Sequence, residues 1–173
     1  MPALTFRSAT ILDVGAITAL VNIAYRGEAS RRGWTTEADL LDGLRTTAAE
    51  VQQLIESDHS TLLLGVTDDE VVASVCLEQT AHAAHIGMFV VRPDLQGSGI
   101  GKQLLTYAES YAREYWAVKE FAMHVITLRH ELIAFYQRRG YRRTGVFKNF
   151  PVNPEMWQPK LDNLQLELLE KSV

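Results

Sequence analysis

The chain has 173 residues, of which 47% are hydrophobic and 22% charged, and this profile predicts one globular domain over 1–173. Its formal net charge of −4 argues against a nucleic-acid binder, which usually carries a basic excess. The single cysteine, Cys76, excludes an internal disulfide and fits a reducing compartment. Because residues 1–10 lack a signal-peptide core and no apolar stretch reaches membrane length, we expect a cytoplasmic protein without a membrane partner.

In the first half of the chain, hydrophobic periodicity predicts helices first and strands afterwards. Apolar residues recur at helical spacing before residue 56, whereas residues 60–93 contain β-type apolar runs separated by polar turns. The predicted elements are a strand at 4–10, a helix after Asp13, a second helix opened by Thr36, a hairpin around Asp68-Asp69-Glu70 and a strand at 82–93 that ends at Pro93.

The second half predicts alternating helices and strands. A helix follows a glycine-rich loop, and a shorter helix at 130–140 ends at Gly140, a residue suited to a left-handed cap. The remaining elements are strands at 120–127, 141–147 and 164–171, the last two separated by a proline-interrupted loop. The order β-α-α-β-β-β-α-β-α-β-β predicts a mixed α/β fold with antiparallel pairing in part of its sheet.

The glycine-rich loop "QGSGIGKQ" (96–103) indicates an anion site, because glycines let backbone N–H groups approach a phosphate at a helix N-terminus. The nucleotide P-loop pattern fails, since Gln96 stands where its first glycine belongs and Gln103 where its Ser or Thr belongs. The dinucleotide pattern G-x-G-x-x-G is weak as well, because Lys102 occupies its third glycine position. A glycine-rich turn without a ligand is the structural alternative.

A third pattern, Q/R-x-x-G-x-G/A, fits at Gln96, Gly99 and Gly101. It follows a strand ending in Val91-Arg92-Pro93, opens an amphipathic helix, and is followed later by "AFYQRRGY". This combination resembles the coenzyme A pyrophosphate loop of the GNAT superfamily of N-acetyltransferases. The resemblance implies a central, mostly antiparallel mixed sheet with helices on both faces, acetyl-CoA as acyl donor, and direct transfer of the acetyl group to a primary amine.

The resemblance also implies a set of cofactor-binding residues. In the family, the strand before the loop parts from its neighbour and binds the pantetheine arm through its backbone, and an N–H near Phe89 would polarise the thioester. An asparagine that the family often has seven residues before its tyrosine is replaced here by Arg129, which could reach a phosphate instead. The implied set is Phe89, Val90, Val91, Gln96, Gly97, Ser98, Gly99, Ile100, Gly101, Lys102, Arg129 and Tyr136.

Two residues are candidate catalysts. Tyr136 occupies the position of the family's leaving-group acid, and its structural alternative is core packing. His85 stands where several members carry a basic glutamate, and period-two alternation predicts that His85, Gly87, Phe89 and Val91 share one face of the strand. An ordinary strand histidine, Glu78 or a water chain remain alternatives for the base.

The acceptor is less defined by the sequence. A small amine or amino-acid-like acceptor is favoured, and an aminoglycoside held by Glu28, Asp39 or Asp42 is an alternative. A non-catalytic CoA-binding sensor on the same scaffold is the competing function. No metal is expected, since His82 and His85 lack further ligands at metal spacing. The strand at 164–171 could pair with a second subunit to form a homodimer.

Overall fold

A computed structural model describes residues 3–173, so the first two residues of the predicted domain lie outside the described part. Within it, the chain forms a mixed α/β fold. The strands are β1 (Thr5–Ser8), β2 (Leu41–Gly43), β3 (Ser60–Thr67), β4 (Glu70–Gln79), β5 (Ala83–Val91), β6 (Glu120–Ile126), β7 (Arg142–Asn149), β8 (Trp157–Pro159) and β9 (Gln165–Ser172). The helices are α1 (Val14–Tyr25), α2 (Ala48–Glu56), α3 (Ile100–Trp116) and α4 (His130–Gln137).

Seven strands form the central sheet in the order β1-β3-β4-β5-β6-β9-β7, and every neighbouring pair is antiparallel except β5 and β6. The apolar faces of α1 and α2 bury one side of this sheet, and those of α3 and α4 bury the other. Each helix contributes an apolar stripe at helical spacing, such as Leu104, Leu105, Ala108 and Ala112 in α3. The predicted fold class is confirmed.

Strand β5 separates from β6 after the first three of its nine residues. Their parallel pairing covers only Ala83 to His85, and beyond it β5 bulges where Met88 adopts a positive φ of 44°. The bulge exchanges the two faces of the strand, because Ile86 packs on the side of α3 whereas Met88 packs on the side of α1. The prediction that His85 and Phe89 share one face is therefore wrong, since alternation does not survive a bulge.

The predicted second helix begins 12 residues later than Thr36, at Ala48. The side chain of Thr47 accepts a hydrogen bond from the backbone N–H of Glu50 at 3.2 Å, which makes Thr47 the N-cap. The segment before it forms turns and the short strand β2, which pairs with β8 in a separate two-stranded sheet. This pairing between distant segments overrides the apolar spacing of residues 40–44, and it also places a strand in the predicted loop after β7.

The final strand β9 lies inside the sheet, between β6 and β7. Its buried Glu167 accepts hydrogen bonds from Arg143 at 2.6 Å and from the backbone N–H of Gly145 at 3.2 Å, and these bonds hold the bulge of β7. Both edges of β9 are thus paired, and the hypothesis that it joins a second subunit is wrong. The outer strands of the sheet are β1 and β7.

Candidate active site

The glycine-rich loop opens α3 with unpaired backbone donors. Gly97 and Gly99 have φ of 85° and 90°, a left-handed conformation that residues with a Cβ rarely adopt. Gly99 is the residue before the helix, which begins at Ile100, so the first N–H groups of the helix have no intrahelical acceptor. Together with the helix dipole, these donors make the loop a site for an anion such as a pyrophosphate.

This loop borders a cavity of about 350 Å³, the first cavity, which runs from α3 to α4. Nine of the twelve predicted cofactor-binding residues line it, and the exceptions are Val90, Ser98 and Ile100. Val90 is buried on the α1 side of the sheet, so only its backbone could contribute. The Ser98 hydroxyl instead donates to the carbonyl of Leu95 at 2.5 Å and holds the loop's turn.

The side chain of Gln96 connects three segments around the loop. Its amide nitrogen donates to the carbonyl of Val91 at 2.9 Å and to the hydroxyl of Thr35 at 2.8 Å. Its amide oxygen accepts from the backbone N–H of Thr35 at 3.1 Å. Because these bonds use the side chain internally, Gln96 positions the loop relative to β5 and the linker after α1.

The separated part of β5 presents backbone groups to the opening. The N–H of Arg92 donates to Val72 of β4 at 2.8 Å, so by alternation the backbone groups of Val91 and Phe89 point away from β4. The Phe89 carbonyl accepts a 2.7 Å hydrogen bond from the hydroxyl of Tyr25. The N–H of Val91 lies on the edge that borders the gap between β5 and β6, where an extended ligand could pair with it.

Arg129 lies in a buried ion network and not at the glycine loop. Its guanidinium donates to Glu37 at 3.0 Å and to the carbonyl of Thr35, and Arg26 donates to the same Glu37 at 3.2 Å. The side chains of Arg129 and Glu37 are 9% and 8% exposed, so water screens this network little. The predicted phosphate contact would require Arg129 to leave two partners, and the network holds it between the first cavity and a second cavity described below.

Tyr136 stands in the wall between the first cavity and a second one. It is 5% exposed, and the rings of Phe89, Phe135 and Tyr141 surround it at centroid distances of 5.4–6.3 Å. Burial raises the pKa of its hydroxyl above the ordinary value, so the group keeps its proton at neutral pH. Tyr25, Phe89, Arg129 and Leu132 line both cavities as well.

The second cavity, of about 310 Å³, opens on the other side of Tyr136 and is bounded by β5, β6, β7 and the linker after α1. His85 lines it, with its Nε2 3.3 Å from Nδ1 of His124. Burial is the main cause that lowers the pKa of both imidazoles, that of His124 to about 4, and the positive charge of Lys148 acts in the same direction. Both rings are therefore neutral at pH 7 and can accept a proton.

The acidic residues considered for an aminoglycoside do not line either cavity. Asp39 and Glu28 pair with Arg31 at 2.9 and 3.0 Å, and Asp42 lies 3.4 Å from Lys160. Within residues 3–173 the structure brings together no group of three or more His, Cys, Asp or Glu side chains that could hold a metal ion, and no helix there is long and apolar enough to span a membrane. Cys76 is buried, which raises its pKa to about 12.

Several residues of the site carried no signal in the sequence. Tyr25 belongs to the apolar stripe of α1, and only the fold shows its hydroxyl at β5. The guanidinium of Arg139 lies 3.7 Å from the centroid of Phe135, and its Nε has no partner within the described residues at the first cavity. His124 occupies an ordinary position of β6, and only the fold brings its ring next to that of His85.

Comparisons with known proteins agree with this geometry. Residues 25–141 match the model of the acetyltransferase (GNAT) family. The chain is 30% identical over 155 residues to the aminoalkylphosphonate N-acetyltransferase of Salmonella typhimurium, covering 83% of this chain and 88% of that protein. It is 23% identical to the S-alkylcysteine N-acetyltransferase of Bacillus subtilis over 90% and 93% of the two chains. The crystal structure of a ribosomal-protein-alanine N-acetyltransferase from Brucella melitensis shares the fold, with a TM-score of 0.74 at 19% identity over 98% and 99% of the chains.

Proposed function

This chain belongs to the GNAT family of acetyltransferases, and from that premise we propose that it transfers the acetyl group of acetyl-CoA to the primary amine of a small or amino-acid-like acceptor. The two enzymes to which it is similar in sequence are named for small acceptors, an aminoalkylphosphonate and an S-alkylcysteine. Each of these compounds joins an amine to an acidic group. The cytoplasmic location and a homodimer remain predictions.

The first cavity suits coenzyme A. Its glycine loop offers backbone donors for a pyrophosphate, and the free edge of β5 at Phe89 and Val91 offers a partner for an extended amide-containing arm. The apolar side chains of Leu132 and Phe135 cover the opposite wall. Bound acetyl-CoA would supply an activated thioester, and an N–H of β5 at Phe89 would donate to the carbonyl oxygen as charge develops there.

Tyr136 is proposed as the proton donor to the departing sulfur. Its position in the wall shared by both cavities is the observation that carries the proposed function, because the acyl group must pass there to reach an amine in the second cavity. The raised pKa keeps the hydroxyl protonated, so the donor is present at neutral pH. Proton transfer from a phenol to a thiolate is uphill, and positioning would therefore matter more than driving force.

His85 is proposed to receive the proton that the amine loses. It lies four residues before Phe89 in β5, which corresponds to about 13 Å along an extended strand, so the transfer would pass through water in the second cavity. Its partner His124, at 3.3 Å, fixes the orientation of the ring and occupies Nε2. In the tautomer in which Nε2–H of His85 donates to Nδ1 of His124, Nδ1 of His85 is the accepting atom; Glu78 is the residue paired with His85 on β4.

The test is thioester cleavage with a panel of small amines, compared between the wild type and Tyr136→Phe. We expect the wild type to release free thiol only when an amine is present, and Tyr136→Phe to lower kcat about 10²-fold while acetyl-CoA still binds. Tyr115→Phe is the matched control, since Tyr115 is 66% exposed on α3 and lines neither cavity. Tight binding of acetyl-CoA without turnover of any amine would favour the non-catalytic sensor.

A further inference from the structure

The second cavity carries a positive charge that amine acetylation does not explain. Four cationic side chains and two carboxylates line it, an excess of two positive charges in a chain whose formal net charge is −4. A simple alkylammonium ion is repelled by such surroundings, whereas an anionic group is attracted. The lining charges are those of Arg26, Arg45, Arg129, Lys148, Glu37 and Glu78.

Two of these cations are already engaged by the protein. Arg26 and Arg129 both bind Glu37, and Arg26 also donates to the carbonyl of Leu44 at 3.1 Å. Glu37 is in turn fully occupied by the two guanidinium groups. The charge of Glu37 is balanced by Arg26 and Arg129, and the three side chains form part of the wall of the second cavity. None of the three is left free to bind a ligand by charge.

The other two cations, Arg45 and Lys148, form no salt bridge with any residue of the described range 3–173. The guanidinium carbon of Arg45 lies 5.8 Å from the ring centroid of Tyr25, at the boundary between the two cavities. Lys148 approaches from β7, beside His85 and His124. Glu78 likewise forms no ion pair there, so the wall combines one available carboxylate with two available cations.

We propose that Arg45 and Lys148 bind an oxyanion on the acceptor, so that this chain acts on small zwitterions in which a short chain joins the amine to a carboxylate or a phosphonate. The inference rests on the proposed function for the amine and adds the second charged group of the substrate. The oxyanion would replace water at the two cations and direct the amine toward Phe89 and Tyr136. An amine without an oxyanion would leave both cations unpaired and lose this orientation.

Calorimetric titration tests the oxyanion site without depending on turnover. The probes are 2-aminoethylphosphonate and S-methylcysteine, each compared with its analogue lacking the acidic group, ethylamine and S-methylcysteamine, with and without saturating coenzyme A. We expect the acidic compounds to bind at least about tenfold more tightly than their analogues. The larger ratio of affinities between an acidic probe and its own analogue identifies phosphonate or carboxylate as the preferred oxyanion.

Charge variants locate the site. We expect Lys148→Gln and Arg45→Gln to weaken binding of the tighter acidic probe by about tenfold and not to weaken binding of ethylamine, which these cations repel. Lys148→Arg should retain most of the affinity because it retains the charge. The matched controls are Lys119→Gln and Arg113→Gln, since Lys119 and Arg113 are exposed and line neither cavity.

The outcomes separate this inference from the proposed function. Equal affinity for ethylamine and 2-aminoethylphosphonate, and for the second pair of probes, would overturn the oxyanion site even if acetyl transfer proceeds. Unchanged affinity of the acidic probes in both Lys148→Gln and Arg45→Gln would overturn it as well. Charge-dependent binding without thiol release from acetyl-CoA would contradict the proposed function and leave the oxyanion site supported.

Discussion

The hydroxyl of Tyr25 donates a 2.7 Å hydrogen bond to the carbonyl of Phe89, across 64 residues of sequence. The bond ties the end of α1 to the bulged part of β5, the strand segment that borders both cavities. Tyr25 is 8% exposed, so water cannot replace the bond easily. The conformation of the β5 edge thus depends on α1, which packs on the face of the sheet opposite to α3 and α4.

Tyr25→Phe removes this hydrogen bond and keeps the ring. We expect a loss of about 1–2 kcal/mol in the free energy of unfolding, because the carbonyl of Phe89 is left without its partner. We also expect weaker acetyl-CoA binding, since the edge of β5 is no longer fixed. Urea denaturation and calorimetric titration measure the two effects. Retention of both wild-type values would show that the bond does not position β5.

Gly99→Ala tests the glycine loop. The φ of 90° at Gly99 strains any residue with a Cβ, so we expect a destabilisation of about 1 kcal/mol and a loss of acetyl-CoA affinity of at least about tenfold. Gly15→Ala is the matched control, because Gly15 lies in α1 with no atom within 4 Å of an added Cβ. That control should gain about 0.5–1 kcal/mol of stability and bind acetyl-CoA normally. Normal affinity in Gly99→Ala would contradict the predicted backbone site.

Arg129→Ala tests the buried ion network. Removing one partner from a buried pair leaves uncompensated charge, and we expect the free energy of unfolding to fall by about 3 kcal/mol. Arg92→Ala is the control, since its ion pairs with Glu70 and Asp94 are exposed and should contribute less than about 1 kcal/mol. Equal effects of the two substitutions, measured by urea denaturation, would show that Arg129 has no structural role beyond that of a surface arginine.

His124→Gln should make the free energy of unfolding less dependent on pH below neutrality. The pKa of His124 is lowered to about 4 in the folded chain, against an ordinary value of 6.5, so the unfolded chain takes up a proton first as the pH falls. The wild type therefore loses stability between about pH 6.5 and pH 4, and the variant should lack this part of the loss. Urea midpoints at pH 7 and pH 4.5 measure it. A wild-type pH dependence in the variant would contradict the assignment.

The sequence grouped the residues that line the first cavity better than it placed those that line the second. The glycine loop is a local pattern of strand, turn and helix, and the structure keeps Gly97, Gly99 and Gly101 together at the first cavity. The face of His85 was predicted wrongly because a bulge at Met88 reversed the alternation, and no residue pattern marks that bulge. Lys148 of β7 and Arg45 of the segment between β2 and α2 line the same cavity only through tertiary packing, which the residue spacing does not contain.

The ends of helices were also predicted well where a local signal sets them and poorly where pairing of distant segments sets them. Gly140 follows the end of α4 by three residues, has a left-handed φ of 96° and donates its N–H to the carbonyl of Gln137 at 3.1 Å, so the predicted cap glycine lies in the turn that closes the helix. The start of α2 at Ala48 depended on competition between apolar spacing and the pairing of β2 with β8, two strands more than 110 residues apart. Thr36 and the apolar spacing predict an earlier start, whereas Thr47 followed by Glu50 is the capping pattern at which the helix begins.

The wall that the first and second cavities share predicts a kinetic mechanism for acetyl transfer. Tyr136 and Phe89 line both cavities, so acetyl-CoA in the first cavity and an acceptor in the second could be bound at the same time. Direct transfer in such a ternary complex needs no covalent acyl-enzyme intermediate. The one thiol of the sequence, Cys76, is buried away from both spaces. Double-reciprocal rate plots at several fixed acceptor concentrations should therefore give intersecting lines, the pattern of a ternary complex, and not the parallel lines of a ping-pong cycle.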